Sequence, residues 1–444
     1  MQFDRVVIGT GNAGQAAAST LRQQGRRVAV VDHQPPGGTC AQRGCVPKKV
    51  LVAAAETLDV IRRAGAHGIS VGPAQLDWPA LVARVRTFVE DVPADVAKSL
   101  EGQGIPLLRG EARFVGPGAV DVEGERVEAN GFVVATGSVP RRLGFAAEAA
   151  MWTSDDVLQR PVLPRSVCFV GVGLIAFELG HVLARAGSEV TLVGGHALKA
   201  FDADVVERLV TATRDLGIRV VTGARVQDVR GDGPLVVHYE QDGHRHEVEA
   251  EVVVNAAGRV PALDGLDLAR AAIDLRDRLP VLDTALRSVS NARVAFAGDA
   301  APRTPQLSPV ASWEGRFVAS HLEDGAERPL DYVPVPRVVY TVPALAQVGL
   351  DPVAARRAGI DPVVQDHDLV GWRSARTYAE EHAFARVVLE RSTERIVGAT
   401  LLGHGAQEVI HTFAWAIREG WRAPKLRDAI YAYPTFHADI KYLL

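Results

Sequence analysis

Six residues from Phe3 to Ile8 end in an apolar run that stops at a cluster of glycines. A helical spacing of small and apolar residues follows, and Val28–Val31 is a second short apolar run. This order predicts strand, glycine turn, helix and strand. It returns about 160 residues later, where Cys168-Phe169-Val170 precedes another glycine turn and Val190–Val193 forms the next apolar run. Two βαβ units are therefore expected, in an α/β fold with two Rossmann-like dinucleotide-binding domains. Between them the pattern predicts helices over Lys48–Ala64 and Ala80–Leu100, then short strands at Leu107–Gly110 and Val120–Val122. A proline-bearing stretch, Arg160–Arg165, marks the entry to the second unit, and a break at Glu327–Pro336 separates the C-terminal part. That part predicts strands at Val338–Tyr340, Ala385–Glu390 and Gly398–Gly403, with helices at Val353–Ala358 and Gln407–Glu419. It reads as an α+β domain.

Composition narrows the class. The chain has 444 residues, 47% hydrophobic and 23% charged, which excludes a disordered chain. A net charge of −4 argues against a nucleic-acid binder held by counterion release. No uncharged apolar stretch approaches the ~18 residues of a membrane span. With a strand predicted from Phe3, no signal or transit peptide is expected. Three cysteines exclude a disulfide-stapled secreted scaffold, and the expected compartment is the cytoplasm.

The first glycine turn is Gly9-x-Gly11-x-x-Gly14. Its first glycine makes the turn, its second admits a pyrophosphate to the backbone, and its third lets the helix pack on the strand. The helix N-terminus then favours phosphate charge. Asp32 ends the second strand, where a carboxylate would meet a ribose hydroxyl. The second turn is Gly171-x-Gly173-x-x-Ala176. Its partner strand runs into Gly194-Gly195-His196 without a carboxylate, and His196 and Lys199 are the nearby cations. That pattern leans toward NADPH over NADH, although both cations also read as ordinary surface residues.

The segment Gly37-Gly38-Thr39-Cys40-Ala41-Gln42-Arg43-Gly44-Cys45-Val46-Pro47-Lys48-Lys49 carries most of the chemistry. On a regular helix, cysteines five apart would have Cα atoms roughly 8–9 Å apart. A disulfide needs less than about 7 Å. A redox disulfide here therefore requires a distorted helix start, which Gly44 permits. The alternatives are a metal site or two free thiols. A helix N-terminus and Lys48 and Lys49 would favour a thiolate. Cys168 reads as a core residue. His404, His411 and His437 are dispersed, and neither HExxH nor CxxC occurs, so no metal site is expected.

With these residues the sequence resembles the pyridine nucleotide–disulfide oxidoreductases, the group of glutathione reductase, dihydrolipoamide dehydrogenase and mercuric reductase. The GGTC-x4-C-VPKK segment is most similar to glutathione-reductase-like members. The likeness extends through Ala135-Thr136-Gly137-Ser138, Asn255–Pro261 with Gly258, and Ala297-Gly298-Asp299-Ala300. It implies an FAD-binding domain over 1–148 and 263–330, an NAD(P)-binding domain over 149–262 and a dimerisation domain over 331–444. FAD would take Gly9, Gly11, Gly14, Asp32, Gly38, Thr39, Lys49, Ala135, Thr136, Gly137, Gly298 and Asp299. The nicotinamide nucleotide would take Gly171, Gly173, Ala176, His196, Lys199 and Gly258.

The resemblance also implies roles. Electrons would pass from the nicotinamide through the flavin to a Cys40–Cys45 disulfide. Cys45 would be the thiolate facing the flavin, and Cys40 would attack a small-molecule or protein disulfide. Lys49 and Glu178 would form an ion pair near the flavin, with Lys48 as the neighbouring alternative and a solvated helix position as the other reading of Glu178. Leu174 stands where many members have a tyrosine lid. A homodimer is implied, each C-terminal segment completing the other subunit's site.

That segment departs from the pattern. Tyr433 stands at the family's histidine acid/base and Ala438 at the glutamate that orients it, in Tyr433-Pro434-Thr435-Phe436-His437-Ala438-Asp439. By resemblance the Tyr433–Pro434 peptide is expected to be cis. A histidine exchanges protons near neutrality, whereas a tyrosine donates but is a poor base. Tyr433 as acid, His437 as substitute with Asp439 nearby, and an acceptor needing no acid (a quinone, dye or metal ion) all remain open. The chain's end, Lys441-Tyr442-Leu443-Leu444, lacks the extra cysteine pair of mercury-handling members.

Overall fold

The computed structural model describes residues 1–322, 329–332 and 334–444. The break at Glu327–Pro336 falls partly outside them. The chain divides into two compact units. The first holds Met1–Lys48, Ala83–Arg141 and Arg259–Asp331, and the second holds Lys49–Val82, Arg142–Gly258 and Tyr332–Leu444.

The first unit is built on a seven-stranded sheet. Leu107–Arg109, Val28–Asp32, Gln2–Ile8 and Glu125–Val134 lie side by side in parallel. Val294–Phe296 also pairs in parallel with Glu125–Val134. Ala119–Val122 and Ala112–Gly116 extend the sheet in antiparallel register. The central strands carry near-continuous valine runs because both of their faces are covered. The helix Asn12–Gln23 buries Ala13, Gly14, Ala17, Ala18 and Leu21 on one face. Ala13, Ala17, Ala18 and Leu21 share a core with Val318 and Ala319 of the helix Ser308–His321.

In the second unit, Arg219–Val221, Glu189–Val193, Ser166–Val170 and Val252–Asn255 form a parallel four-stranded sheet. An antiparallel sheet of Arg225–Arg230, Leu235–Gln241 and His244–Ala250 adjoins it. The C-terminal part is a five-stranded antiparallel sheet in the order Arg337–Val339, Ala344–Gly349, Ile396–Gly403, Phe384–Glu390 and Pro362–Asp368. The helix Ala406–Arg418 packs on it through Val409, Ile410 and Phe413.

The two glycine turns share one construction. Gly9 has φ of 111° and Gly171 has φ of 121°. A Cβ on Gly9 would lie 2.3 Å from the Ala135 carbonyl oxygen, and one on Gly171 2.2 Å from that of Ala256. Only glycine lets the chain leave the strand this close to its neighbour. The predicted helix Ala80–Leu100 is in fact two, Trp78–Arg86 and Val92–Gly102, and Pro93 opens the second. Among the described residues no helix is long and apolar enough to cross a membrane.

Candidate active site

The helix that carries the cysteines is broken between them. Cys40 lies in Gly38–Arg43 and Cys45 opens Cys45–Arg62, with Gly44 as the joint. A Cβ on Gly44 would come within 3.3 Å of the Cys40 Cα, so the joint closes tightly only around glycine. Both cysteines are thiols here, Cys45 exposed and Cys40 half-buried, while Cys168 is fully buried in its strand. Cys45 Sγ is 3.2 Å from the Ser308 hydroxyl, at the start of a helix far along the chain.

One proton serves the pair. The Cys45 thiol donates to Cys40, and Ser308 and Asn12 also donate, against the cost of burial; the Cys40 thiol falls from 9.0 to about 6. Cys45 is pushed up because it donates that proton and is partly desolvated, although Ser308 and the Lys48 charge pull the other way. In the reduced arrangement the two thiols share one proton, and the first ionisation of the pair falls below the ordinary thiol range. A coupled pair of this kind loses its two protons in widely separated steps.

The other expected FAD residues of this unit converge. Asp32 accepts from the Thr10 N–H at 2.8 Å, the Thr10 hydroxyl at 2.5 Å and the Gln34 N–H at 2.9 Å. Three of its roughly four acceptor positions are thereby used and one is left for a ligand hydroxyl. The backbones of Gly11 and Gly38 run against each other. Ser138 donates to Asp299 at 2.7 Å and accepts from Arg259 Nε at 2.9 Å, which joins three of the matched segments. Glu314, fully buried, accepts from the Gly298 N–H at 2.7 Å. The Thr136 hydroxyl is buried with no hydrogen-bond partner among the described residues. Such an orphan between Ala135 and Gly137 fits a polar ligand group.

In the second unit the Leu198 N–H donates to the Val172 carbonyl at 3.0 Å, folding residues 194–201 onto the Gly171–Gly173 turn. His196 and Lys199 are exposed on this loop and pair with no described residue.

The family model for pyridine nucleotide-disulphide oxidoreductases matches residues 3–315, and the model of their dimerisation domain matches 335–443. The chain belongs to the pyridine nucleotide-disulphide oxidoreductases. It is 33% identical over 440 residues to a dihydrolipoyl dehydrogenase of Thermus scotoductus, covering 98% of this chain and 95% of that one. It is 29% identical over 445 residues to a mercuric reductase of Bacillus cereus, covering 99% of this chain and 70% of that one. A copper(II) complex of the flavoprotein disulfide reductase RclA from Escherichia coli has the same fold, with a TM-score of 0.88 over all of this chain and 99% of that one, at 24% identity. The oxidoreductase is thus an enzyme of an FAD-dependent, pyridine-nucleotide-using family, and its dimerisation domain supports a homodimer.

Two expectations for this oxidoreductase need correction or addition. Lys49 does not pair with Glu178: its Nζ bonds Glu56 at 2.8 Å and lies 5.1 Å from the Tyr340 ring centre. The two residues are seven apart on one helix and so share a face. Lys48 is the lysine whose charge acts on Cys45. Glu178 is only 3% exposed, which removes the solvated-helix reading, and it accepts from the Tyr340 N–H at 2.8 Å.

At the C-terminus of the oxidoreductase the Tyr433–Pro434 peptide is cis, as is Val342–Pro343. Tyr433 is 62% exposed, and its hydroxyl oxygen accepts from Arg373. The O–H is thereby left to donate. The His437 ring is half-buried and hydrogen-bonds to no described residue. Burial raises the pKa of Asp439, against a hydrogen bond from Ser374 that lowers it. Ala438 is buried. Ser308 carried no local signal in the sequence, while Asn12, Ser138 and Arg259 lie inside the matched segments but were not singled out as site residues.

Proposed function

We propose that the protein is an FAD-dependent NAD(P)H oxidoreductase, with NADPH favoured, that reduces a disulfide through Cys40 and Cys45. The observation that carries this reading is the dithiol beside Ser308: Cys45 Sγ lies 3.2 Å from its hydroxyl, and the two cysteines share one proton, so one of the pair ionises below the ordinary thiol range. A thiolate poised this way attacks disulfides at neutral pH. Bound FAD would supply the two electrons that keep the pair reduced, drawn from a nicotinamide nucleotide.

The rest is sulfur chemistry. Cys40 attacks one sulfur of the substrate disulfide, forming a mixed disulfide and releasing the first thiol. Cys45 gives up its proton and attacks Cys40, which restores the Cys40–Cys45 bond and releases the second thiol. Two electrons and two protons pass to the substrate in each cycle. The acid for the first leaving thiolate is Tyr433 of the other subunit, whose O–H is left to donate.

NADPH is favoured because no carboxylate follows Glu189–Val193 and both His196 and Lys199 stand exposed without an ion-pair partner among the described residues. The pyrophosphate of FAD would lie at Gly9, Gly11 and Gly14, and Asp299 and Thr136 would meet its polar chain.

Anaerobic titration of the purified holoenzyme with NADPH, and separately with NADH, tests the proposal. A long-wavelength absorption that disappears in Cys45→Ser, with NADPH the more effective donor, is the expected result. Flavin bleaching without that absorption would overturn the disulfide relay and favour direct reduction of quinones, dyes or metal ions.

A further inference from the structure

The loop after the second glycine turn is anchored at its far end by the C-terminal sheet of the same unit. Residues 194–201 reach from Val193 to Asp202, which caps the helix Ala203–Asp215 by accepting from the Asp204 and Val205 N–H groups at 3.1 and 3.4 Å. That cap alone would serve the helix. Asp202 is nevertheless held twice more. Its own N–H donates to Gln347 Oε1 at 2.7 Å, and Arg386 Nη1 donates to both of its carboxylate oxygens at 3.0 Å. Asp202, Gln347 and Arg386 are 3%, 2% and 8% exposed. The preceding residue, Phe201, lies under the Arg337 guanidinium, 5.7 Å from it.

Arg386 is itself fixed from the other side. Asp366 on the neighbouring strand accepts from its Nε and Nη2, each at 2.7 Å, a two-pronged contact that sets the plane of the guanidinium. The same Nη1 reaches the exposed Asp204 at 3.0 Å. At its near end the loop is tied to the glycine turn, by Leu198 N–H to Val172 O. A continuous series of contacts therefore runs from the C-terminal sheet through Asp202 and the loop to the Gly171–Gly173 turn.

We infer that Arg386 and Gln347 are positioning residues for the nicotinamide nucleotide: by fixing Asp202 they set the path of residues 194–201 and so the presentation of His196 and Lys199 to the nucleotide's ribose phosphate. The inference rests on the reading of the second glycine turn as the nicotinamide site. Neither residue needs to touch the nucleotide. Removing Arg386 leaves the Asp202 charge buried and uncompensated, and the loop end opens to hydrate it.

The test is calorimetric titration of the FAD-loaded protein with NADP+ and NAD+, together with amide hydrogen exchange over residues 194–201. Arg386→Met is expected to weaken NADP+ binding about tenfold and to speed exchange in the loop. Asp366→Asn keeps one acceptor oxygen for Arg386 and so loosens it only in part; it is expected to move both readouts the same way but by clearly less than Arg386→Met. Unchanged NADP+ affinity in a folded Arg386→Met protein overturns the inference. Exchange in Arg386→Met that speeds as much across the C-terminal sheet as over residues 194–201 also overturns it, since that would be general loosening of the sheet. If Arg386→Met does not fold, Gln347→Met decides: weakening of about threefold supports the inference, and unchanged affinity and exchange overturn it. If wild type binds neither nucleotide, the reading of the glycine turn falls, and exchange over 194–201 still decides the anchoring on its own.

Discussion

The Sγ of Cys45 stands 3.2 Å from the hydroxyl of Ser308. The serine opens a helix that also packs against the first glycine-turn helix, so its position is set by the core of the unit. Its hydroxyl helps both cysteines hold negative charge. Alkylation of the reduced protein by iodoacetamide, followed against pH, should show an inflection near pH 6 from Cys40. The Cys45 thiol is the largest cause of that lowering. Cys45→Ala should therefore move the inflection up strongly, and Cys45→Ser, which keeps a donor, less. Ser308→Ala should raise it by a smaller amount. An inflection in Cys45→Ala that stays near pH 6 would show that the shared proton does not set Cys40's reactivity.

Lys48 and Lys49 make unequal contributions to function. Lys49 and Glu56 are each nearly half exposed, and a pair of that kind is worth about 0–1 kcal/mol. Lys49→Met should leave stability to urea and turnover close to wild type. Lys48→Met removes the charge that favours a Cys45 thiolate, and one pKa unit there would change the thiolate fraction about tenfold. Turnover with a disulfide acceptor should fall by about that factor. Glu178→Ala deprives the Tyr340 N–H of its acceptor in a buried place and should cost about 1–3 kcal/mol. Glu178→Gln keeps an acceptor oxygen and should recover most of that loss. Equal turnover in Lys48→Met and Lys49→Met would refute the division of labour.

Much of this was legible in the chain. The glycine turns, their flanking strands and the helix after Cys45 follow from periodicity and from where only glycine fits. The hairpin sheet was not: His244–Ala250 is exposed along most of its length, so no apolar alternation marks it. The strand Pro362–Asp368 carries charged residues outward for the same reason. The split of the Ala80–Leu100 region was missed, although Pro93 marks it, since a proline belongs in a helix's first turn. Lys49 and Glu56 were readable as a helix pair from their spacing, and the family pattern drew attention to Glu178 instead. Ser308 was illegible because a serine 263 residues from Cys45 has no pattern that couples it to a thiol. Asp202 and Arg386 are 184 apart and present the same difficulty.

Tyr433 and His437 are the two candidates for the missing histidine, and their surroundings separate them. Arg373 donates to the Tyr433 hydroxyl oxygen, which fixes the ring and leaves the O–H to give. His437 has no hydrogen-bonded orienting group among the described residues. Removing a general acid typically costs about 10²-fold or more. Tyr433→Phe should lower disulfide reduction by about that factor while reduction of the flavin by NADPH in a single half-reaction stays at the wild-type rate. His437→Gln should change either rate by less than about threefold. The opposite ranking would move the acid to His437. Two unaffected variants would mean that the physiological acceptor needs no acid from this segment.

His181 gives the fold a dependence on pH that is separate from the dithiol. It is 1% exposed in the helix Leu174–Ala186, with Nε2 2.9 Å from the Thr213 hydroxyl and Nδ1 3.3 Å from an Arg185 nitrogen. Burial, and then the Arg185 charge, push its pKa down from 6.5 to about 3. The unfolded chain binds a proton here below pH 6.5 and the folded protein does not until about pH 3. Stability from this group is therefore complete above pH 6.5 and is lost as the pH falls toward 3. At pH 5 the loss is roughly 2 kcal/mol. Urea unfolding between pH 5 and pH 7 should show this slope in wild type, and His181→Gln should be less steep by the equivalent of one proton. Equal slopes in the two proteins would mean that His181 is protonated in the folded state, with Arg185 displaced from its ring.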